Sequence, residues 1–176
     1  MMKTWTWKEA FEDSYEAAKS GNPRAQNFVG FCYDTGQGVG RNRKMGKYWY
    51  EKAAKNGNPE GLFNLALLYD LGLGIRPDPR RAANLYKKAA LRGHLQAQTN
   101  LACRLLDGIG VRKDTASGLR WMRRAAQRGD SKAQYNLGFA YVDGQDVRSN
   151  KHHAKAWLTK AAKQGHGKAR RLLHSA

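Results

Sequence analysis

Glycine returns at positions 21, 57, 93, 129 and 165, each interval 36 residues with no slip. Other columns keep the same step. Small residues stand at Ala25, Gly61, Ala97, Ala133 and Ala169, and Leu65, Leu101 and Leu137 align with Val29. Gly36, Gly72, Gly108 and Gly144 align, as do Val39, Ile75, Val111 and Val147. Trp49, Trp121 and Trp157 align with Leu85, and the pairs Ala53-Ala54, Ala89-Ala90, Ala125-Ala126 and Ala161-Ala162 complete the set. A gapless period of this length marks a repeat architecture in which no unit covers its own apolar face, so units have to stack.

Each unit reads as two helices. Over 131–142, Ala133, Leu137, Ala140 and Tyr141 recur at three- and four-residue steps, which makes one apolar stripe. A glycine-bearing turn such as Leu73-Gly74-Ile75 ends it. The second helix, over 150–164, starts after Asn42, Asp78, Asp114 or Asn150, whose side chains accept from free amides at a helix start. It ends at a glycine suited to a left-handed C-terminal position, such as Gly165. Alanine and glycine on the stripes let backbones approach, and the Trp column fills the space between. The expected organisation is a single repeat domain over 1–176. A capping helix at 6–20 precedes four repeats, 22–57, 58–93, 94–129 and 130–165, and a second cap at 166–176 follows.

Thirty-two Lys and Arg against fourteen Asp and Glu give a net charge of +18 and a pI near 10.2. That field repels other copies of the chain and attracts polyanions, without bearing on the fold. The first residues lack the apolar core of a signal peptide and carry Glu9, Glu12 and Asp13, and no stretch approaches the ~18 apolar residues of a spanning helix. A soluble, cytoplasmic protein is the expectation. Cys32 and Cys103 form neither a disulfide framework nor a metal cluster.

Ala133-Gln134-Tyr135-Asn136-Leu137-Gly138 leads to Tyr141 and Gly144, Gly72-Leu73-Gly74-Ile75 and Asp78 precede Ala82-Ala83, and Trp49 through Gly57 closes the first unit. This pattern, over about residues 20–175, resembles the Sel-1-like repeat family, relatives of the tetratricopeptide repeats. The resemblance implies an all-α fold, a right-handed α/α solenoid superhelix of antiparallel helix pairs with first helices lining the concave side. It implies adaptor or scaffold work in protein complexes and no enzymatic activity. Leu105 stands in the column of Tyr33, Tyr69 and Tyr141, Ser117-Gly118 replaces an alanine-rich start, and Asp146 stands where the other units carry Gly38, Gly74 and Gly110; aspartate tolerates a left-handed backbone better than most residues. The two cysteines occupy neighbouring columns in different units, which disfavours the disulfide-stapled branch of the family and its penicillin-related activity.

By register, the inner positions of the first helices are Asn27, Phe31, Phe63, Leu67, Thr99, Cys103, Leu106, Tyr135 and Phe139. Asp34, Asp70, Asp107 and Asp143 stand near the helix ends and give this stripe an acidic edge. Such a surface suits a peptide or partner protein with apolar anchors and some basic residues; the alternative is that several of these side chains, Phe63 and Leu67 above all, pack between adjacent first helices. The alternative partner is a polyanion, nucleic acid or anionic membrane. It would lie along a basic convex flank containing Arg43, Lys44, Lys47, Arg80, Arg81, Lys87, Arg120, Arg123, Arg124 and Lys155; Glu51 is the one acid in the second helices. With the Trp column assigned to the core, no aromatics interleave with these charges, so contacts would be to the backbone and weakly sequence-selective. The Gly36-to-Gly40 run lacks the Gly-Lys-Ser/Thr of a phosphate loop and recurs in every unit, which makes it a structural turn. His152 and His153 are adjacent rather than four apart, as a helical zinc pair would be. His94 and His166 share a turn column and suggest capping or solvent exposure. Neither a catalytic group nor a cofactor or metal site emerges.

Overall fold

The computed structural model describes residues 5–175, with side chains through residue 173. Among them are ten α-helices and no strand, in two compact units, Met1–His94 and Leu95–Ala176. Unit 1 holds α1 (Trp7–Lys19), α2 (Pro23–Thr35), α3 (Arg43–Lys55), α4 (Pro59–Leu71) and α5 (Pro79–Leu91). Unit 2 holds α6 (Leu95–Asp107), α7 (Thr115–Gln127), α8 (Ser131–Asp143), α9 (Lys151–Lys163) and α10 (Gly167–Ser175). Within each unit helices pack on their sequence neighbours, the tightest pairs being α2 with α3, α4 with α5, α6 with α7 and α8 with α9.

The helix starts follow from the residues expected to cap them. Oδ1 of Asn42, Asp78, Asp114 and Asn150 accepts from the amides of Met45, Arg81, Ser117 and His153 at 3.1, 3.0, 2.9 and 3.0 Å. Asn22, Asn58 and Asp130 do the same for α2, α4 and α8, and His166 Nδ1 accepts from Ala169 N at 3.3 Å for α10. At the far end of α9, Gly165 takes φ +84°, and the amides of Gly165 and His166 reach the carbonyls of Ala162 and Ala161 at 3.0 and 3.1 Å.

The turn inside each pair is closed by one backbone bond. The amide of Asn42, Asp78, Asp114 or Asn150 donates to the carbonyl of Tyr33, Tyr69, Leu105 or Tyr141, at 2.7, 2.8, 2.8 and 3.0 Å. Only a main-chain oxygen is needed there, which explains why leucine can stand at 105. Asp146 behaves differently from the expectation. Gly38, Gly74 and Gly110 have φ between +72° and +76°, whereas no described residue other than glycine has positive φ, so the turn before α9 follows another path.

Helix pairs meet through small residues. A Cβ on Gly30 would come 2.7 Å from the Tyr50 ring, and one on Gly46 3.1 Å from the Gly30 carbonyl. In unit 1, Ala18, Val29 and Trp49 form a core cluster under Phe11, Tyr15, Tyr33 and Met45. In unit 2, Ala102, Met122, Ala125, Ala126, Ala133 and Leu137 pack beneath Trp121 and Trp157. The Trp column is therefore only partly interior. Trp49 is buried, but Trp121 and Trp157 are half-buried and roofed by cations, Arg124 at 5.5 Å and Lys160 at 4.3 Å from the ring centroids.

A buried polar clamp, absent from the sequence reasoning, joins successive pairs. Gln134 Nε2 donates to the Ala126 carbonyl at 3.0 Å while its Oε1 accepts from Gln164 Nε2 at 2.8 Å. Gln26 repeats both bonds in unit 1, with Ala18 at 3.1 Å and Asn56 at 2.9 Å. Gln98 accepts from Arg128 Nη1 at 3.0 Å. Gln26, Gln98 and Gln134 share a column, so the 36-residue step carried the signal.

Candidate functional site: an acid-rimmed apolar pocket

Residues in the turns between helix pairs set what the inner positions can present. Phe63 stacks on His94 at 4.3 Å and 20°, and Tyr135 stacks on His166 at 4.5 Å and 20°. His94 is itself 6% exposed, with Nε2 3.0 Å from Glu60 Oε2, so of the two proposed histidine roles solvent exposure does not apply to it. Thr99, in the same column as Phe63 and Tyr135, is 1% exposed, and its hydroxyl donates to Asp130 Oδ1 at 2.9 Å. It cannot meet a partner, because the Asp130 cap closes over it. Asn27 accepts from Asn64 Nδ2 at 2.9 Å, and Phe31 lies 6.3 Å from the Trp7 ring. Asn27, Phe31, Phe63 and Leu67 are all half-buried within unit 1.

Three of the expected residues converge in unit 2. Cys103 and Leu106 on α6 and Phe139 on α8 line one pocket of about 300 Å³, floored by Leu119, Met122 and Leu137. Phe139 is 45% exposed, and Tyr135 lies 6.2 Å behind it. The Cys103 thiol takes a 3.5 Å hydrogen bond from Asn136 Nδ2, and burial pushes its pKa up, so it is a wall of the pocket rather than a nucleophile. Asp107, Asp143 and Asp146 complete the lining. Asp146, a departure from the repeat pattern in the sequence, is thus a rim residue that register alone did not single out.

The four-aspartate edge does not exist as one row. Asp34 and Asp70 share a column, while Asp107 and Asp143 sit one position later. That shift changes their fate. Asp34 lies 3.4 Å from Arg43 Nε, and Asp70 accepts from the Tyr86 hydroxyl at 3.0 Å, both half-buried. Asp107 and Asp143 are exposed beside the pocket. Asp34 and burial together push the Tyr50 phenol well up, burial being the larger cause.

Several cations of the expected flank are engaged within the chain. Arg43 faces Asp34, Lys47 pairs with Glu51 at 2.6 Å, and Arg81 pairs with Asp78 at 3.2 Å and donates to the Tyr69 hydroxyl at 3.2 Å. The Glu51 bond holds the Lys47 ammonium above its ordinary pKa. Arg120 donates to Ser117 Oγ at 2.7 Å, and Arg124 covers Trp121. Lys44, Arg80, Lys87 and Arg123 are exposed, and Lys155 lines a separate cavity between α9 and α10. No described helix is long and apolar enough to cross a membrane.

Known proteins share both the sequence pattern and the fold. The chain is 35% identical to a protective antigen of uropathogenic Escherichia coli strains displaying an SLR fold, with TM-score 0.83 over 88% of this chain and 33% of that one. It is 31% identical to a Sel1 repeat protein from Oxalobacter formigenes, with TM-score 0.84 over 96% of this chain and 49% of that one. A 45-residue stretch is 44% identical to the chitin synthase regulator SKT5 of Saccharomyces cerevisiae, covering 26% of this chain and 6% of that protein. The chain thus spans a third to a half of the two solved chains it matches and a small part of the yeast regulator. The Sel1 repeat profile matches four times without a gap, at residues 23–58, 59–94, 95–130 and 131–166, and with the α/α-solenoid fold of these neighbours this places the chain in the Sel1 repeat family.

Proposed function

We propose that this protein is an adaptor that holds a partner polypeptide through the pocket between α6, α7 and α8. Sel1 repeat proteins commonly act as protein-interaction scaffolds, and the pocket supplies a chemical preference. The observation that carries the reading is a local inversion of charge. In a chain of net charge +18, the pocket containing the exposed Phe139 is edged by Asp107, Asp143 and Asp146. An apolar side chain entering between Leu106 and Phe139 loses its contact with water, and a lysine or arginine two to four residues away reaches the carboxylates. The acids also offset the field that would otherwise repel a basic segment.

A peptide library displayed against the purified protein tests this. Selected sequences should pair an apolar anchor with nearby Lys or Arg. Phe139→Ala should weaken the best of them about tenfold or more, the loss expected of an anchor in a pocket centre. Asp143→Lys should shift the selection toward acidic flanks. Selection of sequences that bind Phe139→Ala and Asp143→Lys as well as the parent removes the pocket from the mechanism.

A further inference from the structure

On the other side of the turn before α9 lies a second cavity, about 600 Å³, which shares only Leu119 and Asp146 with the first. Its polar walls are Arg123 on α7, Arg148 in the turn, and Tyr141, Asn150 and His153. The equivalent place in unit 1, 72 residues earlier, serves as an internal control. There Lys47 pairs with Glu51 at 2.6 Å, and Arg81 pairs with Asp78 at 3.2 Å beside Tyr69. In unit 2, Arg123 stands where Glu51 stood, Asn150 where Asp78 stood, His153 where Arg81 stood and Arg148 where Arg76 stood. Both carboxylates of the site in unit 1 are gone, as are two of its cations, with Leu119 where Lys47 stood and His153 where Arg81 stood, and Asp146 stands where Gly74 stood. Neither Arg123 nor Arg148 has an ion pair or hydrogen bond to a described residue. Asp146 is the one anion in the lining, and it makes no ion pair with them within 4.0 Å.

We propose that this cavity binds a phosphoryl group, free or carried as a monoester on a small molecule. Two guanidiniums offer forked donors to a tetrahedral oxyanion. The start of α9 adds its own partial positive charge, since the neutral Asn150 caps it where a negative aspartate caps α5. His153, stacked on Tyr141 at 5.1 Å, gives a flat wall, and the volume exceeds that of the oxyanion alone, leaving room for the body of an ester.

Inorganic phosphate and O-phosphoserine, titrated separately into the whole protein and followed by NMR of the arginine Nε–H and aromatic resonances, test the proposal. Saturable shifts confined to Arg123, Arg148, Tyr141 and His153 are expected, and the tighter of the two probes identifies free phosphate or the monoester as the natural form. Arg123→Glu should weaken binding about tenfold or more, the loss of a charge-assisted contact. Lys87→Glu makes the same change of charge in the same column of unit 1 and should leave binding within about twofold. Asp146→Asn should strengthen it. Non-saturable shifts, or equal weakening by Arg123→Glu and Lys87→Glu, would mean that only the diffuse positive field attracts phosphate and would overturn the pocket. So would duplex DNA retained equally by the parent and Arg123→Glu with no saturable response to either small probe.

Discussion

Gly38 takes φ +76°, and a Cβ built there falls onto the Trp7 carbonyl, a backbone atom that no rotamer change can move aside. Its counterpart in the next repeat, Gly74, would meet the Arg43 side chain, whose Cβ and Cδ both lie at 3.2 Å, a contact that a small shift relieves. Gly38→Ala should therefore combine the ~1–2 kcal/mol of a left-handed alanine with displacement of the start of α1, whereas Gly74→Ala carries the first cost alone. Thermal unfolding of the two variants, read with proteolysis of α1, separates them; equal melting points and equal protection would contradict the docking of Trp7 on that turn. A second residue-scale prediction concerns acid. The backbone hydrogen bond from Ser117 holds the Asp114 carboxyl below its ordinary 3.8, with the Ser117 hydroxyl a smaller contributor. A depressed folded value means that the stabilisation is complete above the unfolded pKa and is lost as pH falls through the folded one. Asn42 and Asn150 make the same cap without a titrating group. Asp114→Asn should then match the parent at neutral pH and lose less stability below about pH 4, a difference read from melting curves taken down the acid limb.

At the scale of elements, helix starts were legible because capping is local: one side chain meets an amide three residues on, and the residue type suffices to place it. Asn42, Asp78, Asp114 and Asn150 all cap as their identities require. The inner positions were less legible, because what covers Thr99 is Asp130, the start of another helix 31 residues away. Alignment by residue type also merged Asp34 with Asp107, although one position of register turns a paired carboxylate into a pocket rim. The glutamine clamp could have been read from its column, which Leu62 interrupts. That leucine defines an experiment. Because Leu62 is accommodated in a buried position, Gln134→Leu should fit sterically while removing two hydrogen bonds, from an Ala126 carbonyl that still accepts from the Gly129 amide and a Gln164 amide that still donates to the Gly129 carbonyl. A loss of about 1–3 kcal/mol is expected from the two hydrogen bonds removed, at about 0.5–1.5 kcal/mol each. Gln164→Ala should lose less in the Gln134→Leu background than in the parent, because only its bond to the Gly129 carbonyl remains there, a cycle measurable by denaturant unfolding. Additive losses would show that the two amides do not act through their shared bond.

For the molecule as a whole, the excess of thirty-two basic over fourteen acidic residues works against the folded state, because compaction brings like charges together. The ion pairs do little to offset this. Lys8–Glu12 at 3.9 Å and Lys19–Glu16 at 2.7 Å are solvent-exposed, and such pairs contribute about 0–1 kcal/mol each. Many cations of the second helices, among them Lys87 and Lys88 on α5, point to solvent with no acid on the same helix, so repulsion between them dominates. Screening shortens its range from about 10 Å at 0.1 M salt to about 3 Å at 1 M. The melting temperature should accordingly rise by several degrees between low salt and about 0.5 M sodium chloride, whereas a chain held by its ion pairs would lose stability over the same range. Hydrophobic salting-out also raises melting points, and the variant Lys87→Gln with Lys88→Gln separates the causes. Removing two charges should raise the low-salt melting point and shrink the salt increment, because the repulsion being screened is smaller. Salting-out would leave the increment unchanged. If the double variant melts lower at low salt and responds to salt like the parent, the charge on α5 is not a source of strain, and the +18 excess is thermodynamically silent in the fold.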